Sequence, residues 1–133
     1  MGSGDPDPGK PTVLIAEDDP LSLDMLARRI ERKGMRVLRA VDGAEAVRVA
    51  VDELPDLILM DLSMPGVDGW EAMQWLRDDE ATAHIPVFAI TAHEFEGMRA
   101  AARGAGFADF ESKPIDLPRL LEKMRARLRR QPR

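Results

Sequence analysis

The chain has no cysteine, and none of its apolar runs approaches the roughly 18 residues that a membrane-spanning helix needs. Without cysteine, the protein can have neither disulfide frameworks, thiolate metal sites nor cysteine nucleophiles, and the composition is compatible with a reducing cytoplasm. The first ten residues also lack the apolar segment of a secretory signal peptide. We therefore expect a cytoplasmic protein that has no membrane partner.

The length of 133 residues predicts one domain that is large enough to bury a core without covalent staples. The opening, MGSGDPDPGK, is polar and rich in glycine and proline, which is typical of unfolded chain. We expect residues 1–11 to be a disordered leader or a cloning remnant, residues 12–130 to fold, and residues 131–133 to form a short basic tail.

The net charge of −5 is unevenly placed along the chain. Residues 119–133 hold seven Arg or Lys and one Glu, a net charge of +6, so the remainder carries −11. A basic tail can indicate nucleic-acid binding, but cations near the end of a helix also favour the helix dipole and solvent. We favour the second interpretation and expect no nucleic-acid partner.

Short apolar runs alternate with amphipathic stretches along the chain. Strict β–α alternation over five units predicts a doubly wound, five-stranded parallel sheet with helices on both faces, (βα)5. The predicted strands cover residues 12–16, 35–40, 56–60, 86–90 and 107–111. The first four predicted helices cover residues 20–33, 44–53, 70–79 and 94–103, and Asp116 caps the last. Its apolar stripe is Leu117, Leu120, Leu121, Met124 and Leu128.

Four of the five strands are followed by a polar or charged side chain. Glu17 and Asp18 follow the first strand, Asp61 the third, Thr91 the fourth, and Lys113 comes just after the fifth. In such sheets ligands bind beyond the carboxyl ends of the strands, so these side chains are expected to meet. Any one of the acids could simply cap the next helix, as Asp19 is expected to do, but this is a poor account of all five together.

Several carboxylates at one place repel each other unless a cation lies among them. Oxygen ligands without histidine or cysteine favour Mg²⁺ or Ca²⁺, and a site with few carboxylates favours Mg²⁺. A lysine and a hydroxyl beside a metal-bound carboxylate are typical of phosphoryl transfer, in which a carboxylate can itself be the nucleophile.

Four blocks carry a resemblance to a known family: residues 13–20 (VLIAEDDP), 59–69 (LMDLSMPGVDG), 90–92 (ITA) and 113–114 (KP). Asp61 lies 43 residues after Asp18, Thr91 lies 30 residues further on, and Lys113 another 22. In order and spacing these blocks resemble the signature of response-regulator receiver domains, over about residues 12–128. The resemblance implies the flavodoxin-like receiver fold.

The resemblance also implies a role for each matched residue. Glu17 and Asp18 match the acidic pair that holds Mg²⁺ (Mn²⁺ being a possible substitute), with Glu in place of the commoner Asp at the first position. Asp61 matches the phosphoacceptor and Ser63 the residue whose backbone carbonyl binds the metal. Thr91 matches the switch hydroxyl, Lys113 the phosphate-binding lysine and Phe110 the switch aromatic. The Lys113–Pro114 bond is expected to be cis, as in the family.

The function implied is signalling rather than enzymatic. Asp61 would accept a phosphoryl group from a phosphohistidine on a histidine kinase or phosphotransfer protein, and the domain would assist its own transfer and autodephosphorylation. The fourth helix, fifth strand and last helix would form the output surface for a target protein. We expect a monomer or a weak dimer.

Three other interpretations remain open. The chain could be a receiver excised from a hybrid kinase or a longer regulator. An aspartate-nucleophile phosphohydrolase would need a second Asp where Ser63 stands. A pseudo-receiver would need a broken site, and this one is intact.

Two further side chains carry expectations of their own. His93 could tune phosphoryl lifetime but is expected in a solvated loop. Trp75 is expected to lie off the apolar stripe of its helix, which Trp70, Met73 and Leu76 form.

Overall fold

Each apolar run of the chain forms a strand and each amphipathic stretch a helix. The computed structural model describes residues 9–129. The strands are β1 (Thr12–Ala16), β2 (Arg36–Ala40), β3 (Leu57–Asp61), β4 (Val87–Thr91) and β5 (Asp109–Ser112). The helices are α1 (Pro20–Glu31), α2 (Gly43–Glu53), α3 (Gly69–Asp78), α4 (Met98–Ala105) and α5 (Leu117–Arg129). Residues 1–8 of the leader predicted for residues 1–11 lie outside the described residues, and so do residue 130 of the predicted domain and the predicted tail at residues 131–133.

The five strands form one parallel sheet, as the β–α alternation predicted, and the strand order is β2-β1-β3-β4-β5. β1 and β3 are neighbours although β2 lies between them in sequence, so the chain reverses its winding direction there. In doubly wound sheets the crevice at this reversal is the usual ligand site. The carboxyl ends of β1 and β3 carry Glu17 and Asp61 to that crevice.

Alternate strand residues face two separate hydrophobic layers. In one layer the side chains of Val13, Ile15, Leu57 and Leu59 pack against α1 and α5, and in the other Leu14, Ile58 and Met60 pack against α2, α3 and α4. All five residues of the predicted stripe on α5 are buried. Because β1, β3 and β4 are covered on both faces, every one of their residues is buried.

The ends of the first helix follow its sequence signals closely. Asp19 is the N-cap of α1 and its side chain accepts a hydrogen bond from the backbone N–H of Ser22, with Pro20 in the first turn. Gly34, just after the helix, has a φ of 92°, a conformation that glycine adopts without steric cost. Local signals of this kind place the first turn of α1 directly after Glu17 and Asp18.

Most predicted bounds differ from the structure by one or two residues, and two of the differences bear on the site. The fourth helix begins at Met98 rather than at residue 94, since Gly97 stands before it with a φ of 85° and the preceding residues form a loop. The fifth strand covers Asp109–Ser112 rather than residues 107–111. The first correction lengthens the loop that connects Thr91 to α4, and the second brings the end of β5 next to Lys113.

Among residues 9–129, no helix combines the length and the apolar character needed to cross a membrane.

Candidate functional site

Asp61 is the last residue of β3 and is 5% exposed. Its Oδ1 accepts a 2.8 Å hydrogen bond from the backbone N–H of Ser63, and its Oδ2 accepts one of 2.7 Å from Lys113 Nζ. Each carboxylate oxygen of Asp61 therefore accepts one hydrogen bond, from the Ser63 backbone or from Lys113. This fixes the plane of a carboxylate that sits at the floor of the crevice.

Three acidic side chains converge at this point. Glu17, Asp18 and Asp61 each offer a carboxylate oxygen, and these oxygens lie within 4.8 Å of one another. Glu17 and Asp61 are buried whereas Asp18 is exposed, so the cluster opens to solvent on one side. Such a set fits a hard divalent cation: the ligands are all oxygen, they converge, and the open side leaves room for water ligands.

Lys113 is the counter-charge of this cluster. Its Nζ donates to Glu17 Oε1 as well as to Asp61 Oδ2, and it follows directly after β5. Burial alone lowers the pKa of Lys113, but the hydrogen bonds to Asp61 and Glu17 outweigh it, so the pKa lies above its usual value. The lysine is thus cationic at physiological pH. The Lys113–Pro114 bond is cis, as predicted.

Thr91 ends β4 beside this group and is 1% exposed. Its hydroxyl accepts a 3.1 Å hydrogen bond from the backbone N–H of His93 and donates one of 3.3 Å to the His93 carbonyl. The side chain thereby holds the start of the loop between β4 and α4. The imidazole of His93 is exposed, and so is that of His84, as expected for solvated histidines.

Phe110 lies on β5 with its ring in the hydrophobic layer beneath α4, only 5% exposed. The ring is thus buried in this structure. The guanidinium carbon of Arg99, in the first turn of α4, stands 4.7 Å from the ring centroid. At this distance a cation is attracted to the face of an aromatic ring.

Glu94 joins the same region from the loop after Thr91. Its carboxylate accepts hydrogen bonds of 2.7 Å from Ser112 Oγ and 3.0 Å from Arg99 Nε. We call this three-residue contact the Glu94 bridge: it ties the loop to the end of β5 and to α4. Sequence reasoning missed it, and no local signal reveals it, since 18 residues separate Glu94 from Ser112.

Trp75 lies off the apolar stripe of α3, as predicted, and two of the three residues predicted for that stripe are buried. Trp75 is 43% exposed, and Met73 and Leu76 are buried. Trp70 is only half-buried, and its ring meets Phe107 edge-on with the ring centroids 5.7 Å apart.

A groove of about 330 Å³ leads away from the crevice. Asp61 and Lys113 lie in its wall together with side chains of α1, among them Met25, and the loop residues Pro114 and Ile115. Because Met25 is 53% exposed, the groove has an apolar rim at the surface. The Asp61 carboxylate therefore borders a groove whose apolar rim lies on the α1 side.

Comparisons with known proteins converge on one family. Residues 13–125 match the family model described as the response regulator receiver domain. The polar-differentiation response regulator DivK from Brucella ovis is 40% identical over 117 residues, which cover 88% of this chain and 95% of DivK.

Solved structures show the same likeness. The receiver domain of the Pseudomonas aeruginosa sensor histidine kinase PA1611, crystallised with a magnesium ion coordinated in its active site cleft, has a TM-score of 0.83 and 30% identity, covering 90% of this chain and 98% of that one. The receiver domain of the Francisella response regulator 1452 has a TM-score of 0.85 and 26% identity, over 91% of this chain and 98% of that one.

Proposed function

Because this chain belongs to the response regulator receiver domain family, we propose that Asp61 accepts a phosphoryl group from a phosphohistidine on a histidine kinase or a histidine phosphotransfer protein. A carboxylate oxygen of Asp61 attacks phosphorus, the P–N bond breaks, and the imidazole leaves. The observation that carries the proposal is the convergence of Glu17, Asp18 and Asp61 within 4.8 Å, with the ammonium of Lys113 hydrogen-bonded to Asp61.

The acidic side chains Glu17, Asp18 and Asp61, together with the backbone carbonyl of Ser63, would hold Mg²⁺ or Mn²⁺. When bound, the cation neutralises the charge that gathers on the transferring phosphoryl oxygens. The chain's own groups do the rest. Lys113 is the cation that can contact the phosphoryl group from the β5 side, and the Ser63 N–H orients the Asp61 carboxylate before attack.

The Thr91 hydroxyl then responds to the phosphoryl group by changing its hydrogen bonds. Three new acceptor oxygens appear beside it, and a hydroxyl that turns to them gives up its hydrogen bonds to the His93 backbone. The loop that contains Glu94 is thereby released at its start. Through the Glu94 bridge this change reaches Arg99 and the ring of Phe110, which act as the switch at the α4–β5 contact.

The output follows from this route. The surface formed by α4, β5 and α5, here named the output face, changes its binding of a target protein when Asp61 is phosphorylated. We assign the receiver to residues 12–130 and expect it to act in the cytoplasm as a monomer or weak dimer. It assists its own phosphoryl transfer and autodephosphorylation but is no classical enzyme.

The proposal is tested by incubating the protein with Mg²⁺ and acetyl phosphate and measuring its intact mass. The wild type should gain one phosphoryl group. Asp61→Asn and the wild type with chelator should gain none, whereas Asp52→Asn, which removes an exposed carboxylate of α2, should match the wild type. If no donor phosphorylates the wild type, the chain is a pseudo-receiver that acts by binding alone.

A further inference from the structure

Two rows of cationic side chains flank the edge strand β5. Arg99 and Arg103 lie four residues apart on α4, and Arg119, Lys123 and Arg127 follow at the same interval on α5. Residues four apart share one face of a helix, so each row is continuous. β5 is the last strand of the sheet, so no further strand separates the rows.

The rows approach each other at one residue of that strand. The Arg99 guanidinium stands over the ring of Phe110, and Lys123 Nζ lies 3.5 Å from the Phe110 carbonyl oxygen. The acids of β5 are already neutralised from the α5 side: Lys123 pairs with both Asp109 and Glu111. Glu111 is 1% exposed, so its charge is hidden from solvent. Arg119 also pairs with Glu111 and is 56% exposed, so the cation is the member of that pair that solvent meets.

The charge of these elements differs in sign from that of the rest of the protein. α4, β5 and α5 together hold seven Arg or Lys and three Asp or Glu, a net charge of +4, which leaves −9 on the remaining chain. A molecule with such a charge separation attracts and orients an acidic partner toward one face and repels it elsewhere.

The output face also contains a cavity of about 200 Å³ between α4 and β5. The residues that line it include Arg99, Arg103, Phe107, Asp109 and Phe110. The Asp109 carboxylate is paired with Lys123, so a carboxylate that enters meets two unequal influences: one acid that is already neutralised, and two guanidinium groups beside aromatic rings. A planar guanidinium binds a carboxylate through paired hydrogen bonds. A cavity of this size suits the carboxylate side chain of a protein segment. A long polyanion would instead extend beyond α4, β5 and α5 to the rest of the chain, which has a net charge of −9.

We propose that the output face binds an acidic polypeptide segment, whose carboxylate side chains pair with the α4 and α5 rows and enter the cavity between Arg99 and Arg103. The inference deepens the proposed function and rests on it for its regulation. In the unphosphorylated chain Arg99 is paired with Glu94, so the release of the Glu94 bridge frees one guanidinium for the partner. Activation at Asp61 is then expected to strengthen the binding.

The test is a titration of ¹⁵N-labelled protein followed by NMR, with and without beryllium fluoride and Mg²⁺. The probes are two helical peptides of equal length and equal apolar content, one acidic and one basic, and a short DNA duplex. The acidic peptide should shift resonances of α4, β5 and α5 and bind at least about tenfold more tightly than the basic peptide, in line with electrostatic complementarity at interfaces. Tighter binding of the DNA duplex, or shifts elsewhere in the protein, would overturn the proposal.

A charge-reversal pair provides the matched control. Arg99→Glu/Arg103→Glu should weaken the acidic peptide about tenfold, whereas Arg28→Glu/Arg48→Glu should leave it within about twofold, because only the first pair lies on the output face. Both pairs change the net charge equally, and Arg28 and Arg48, like Arg99, are exposed and paired with an acid of the chain. If the first pair unfolds α4, the neutral Arg99→Gln/Arg103→Gln pair takes its place, with a smaller loss expected. If both reversals weakened the binding of the acidic peptide equally, the binding would depend on net charge alone and not on the output face.

Two outcomes separate this inference from the proposed function. Phosphoryl gain at Asp61 with no binding of the acidic peptide refutes the acidic partner and leaves the receiver role intact. Acidic-peptide binding that beryllium fluoride does not change supports the face and counts against the switch. Sedimentation at the same concentrations completes the test, because a dimer that Arg99→Glu/Arg103→Glu dissociates would assign the face to a second copy of the chain.

Discussion

Lys113 Nζ lies 2.7 Å from Asp61 Oδ2 and also donates to Glu17, so one ammonium joins the carboxyl ends of β1, β3 and β5. The residues are 52 and 96 positions apart in sequence. The contact has two opposite consequences. It neutralises carboxylates that are almost fully buried, and it occupies oxygens that a divalent cation would use.

Lys113→Ala should therefore separate metal binding from phosphoryl transfer. Mg²⁺ binding should tighten, because a competing cation is removed from Glu17 and Asp61. The rate of phosphoryl gain from acetyl phosphate should fall about 100-fold or more, as when one preorganised donor is removed from an active site. Mg²⁺ affinity is measured by calorimetry and the rate by intact mass.

The control for this variant is Lys33→Ala, which removes an exposed lysine just after α1. It should change neither quantity. Weaker Mg²⁺ binding in Lys113→Ala would mean that the lysine organises the acidic cluster instead of competing for it.

Thr91→Val should uncouple the switch from the chemistry. The valine keeps the shape of the side chain but loses both hydrogen bonds to the His93 backbone, which should cost about 1 kcal/mol of stability. Phosphoryl gain at Asp61 should persist, whereas the change in hydrogen exchange over residues 92–97 on activation by beryllium fluoride should disappear.

Thr82→Val is a matched control for that variant. Thr82 is equally buried, at 1% exposure, and its hydroxyl donates a 2.7 Å hydrogen bond to the Leu76 carbonyl, away from the site. It should lose similar stability and keep the full exchange response. A normal response in Thr91→Val would remove the hydroxyl from the switch.

The site could be predicted largely from sequence because the rule that places it is topological. Parallel strands end at one edge, so residues directly after β1, β3, β4 and β5 must meet there whatever lies between them. Glu17, Asp61, Thr91 and Lys113 all lie within a residue or two of a strand end. Small errors in strand boundaries do not move such residues away from the edge.

The Glu94 bridge and the pairing of Glu111 could not be predicted in the same way. An Ala-rich stretch that contains Glu94 has the composition of a helix, yet tertiary contacts with Ser112 and Arg99 hold residue 94 in a loop. Glu111 alternates correctly for a strand, but its burial depends on Arg119 and Lys123 reaching over from α5. Both depend on long-range side-chain contacts, which local patterns do not encode.

Two glycines should respond in opposite ways to the same change. At Gly69 a Cβ would lie 2.5 Å from the Asp61 carbonyl oxygen and 2.8 Å from Leu62 Cα, so Gly69→Ala must displace the backbone at Asp61 and Leu62. We expect a loss of about 1–3 kcal/mol in the free energy of unfolding and slower phosphoryl gain. At Gly104, inside α4, nothing lies within 4 Å, and Gly104→Ala should stabilise the protein by about 0.5–1 kcal/mol.

Denaturant unfolding measures both changes in stability. Gly104→Ala also tests whether the glycine in α4 matters for signalling, because a more stable helix should show a smaller hydrogen-exchange response to beryllium fluoride while phosphoryl gain stays unchanged. A destabilised Gly104→Ala, or a Gly69→Ala that unfolds like the wild type, would contradict the packing on which these expectations rest.

The pH response of the Glu94 bridge gives a direct test of its strength. The hydrogen bond from Ser112 and, next, that from Arg99 lower the pKa of Glu94 below its ordinary value of 4.5. A carboxylate with a lowered folded-state pKa stabilises the fold above its unfolded pKa and loses that contribution as the pH falls through the folded value. The bridge should therefore be intact at neutral pH and open only in acid, below pH 4.5.

Titration of the Glu94 side-chain carboxyl carbon by ¹³C NMR measures this pKa, and Glu94→Gln identifies the resonance. Ser112→Ala should raise the pKa of Glu94 toward its ordinary value, and more than Arg99→Gln does, since the hydroxyl is the larger cause of the shift. Each variant should also speed hydrogen exchange in the first turn of α4 at neutral pH, because Arg99→Gln separates Glu94 from α4 and Ser112→Ala separates it from β5. A wild-type midpoint at or above 4.5, or one that Ser112→Ala leaves in place, would show that the bridge is too weak to carry a change at Thr91 to Arg99 and the output face.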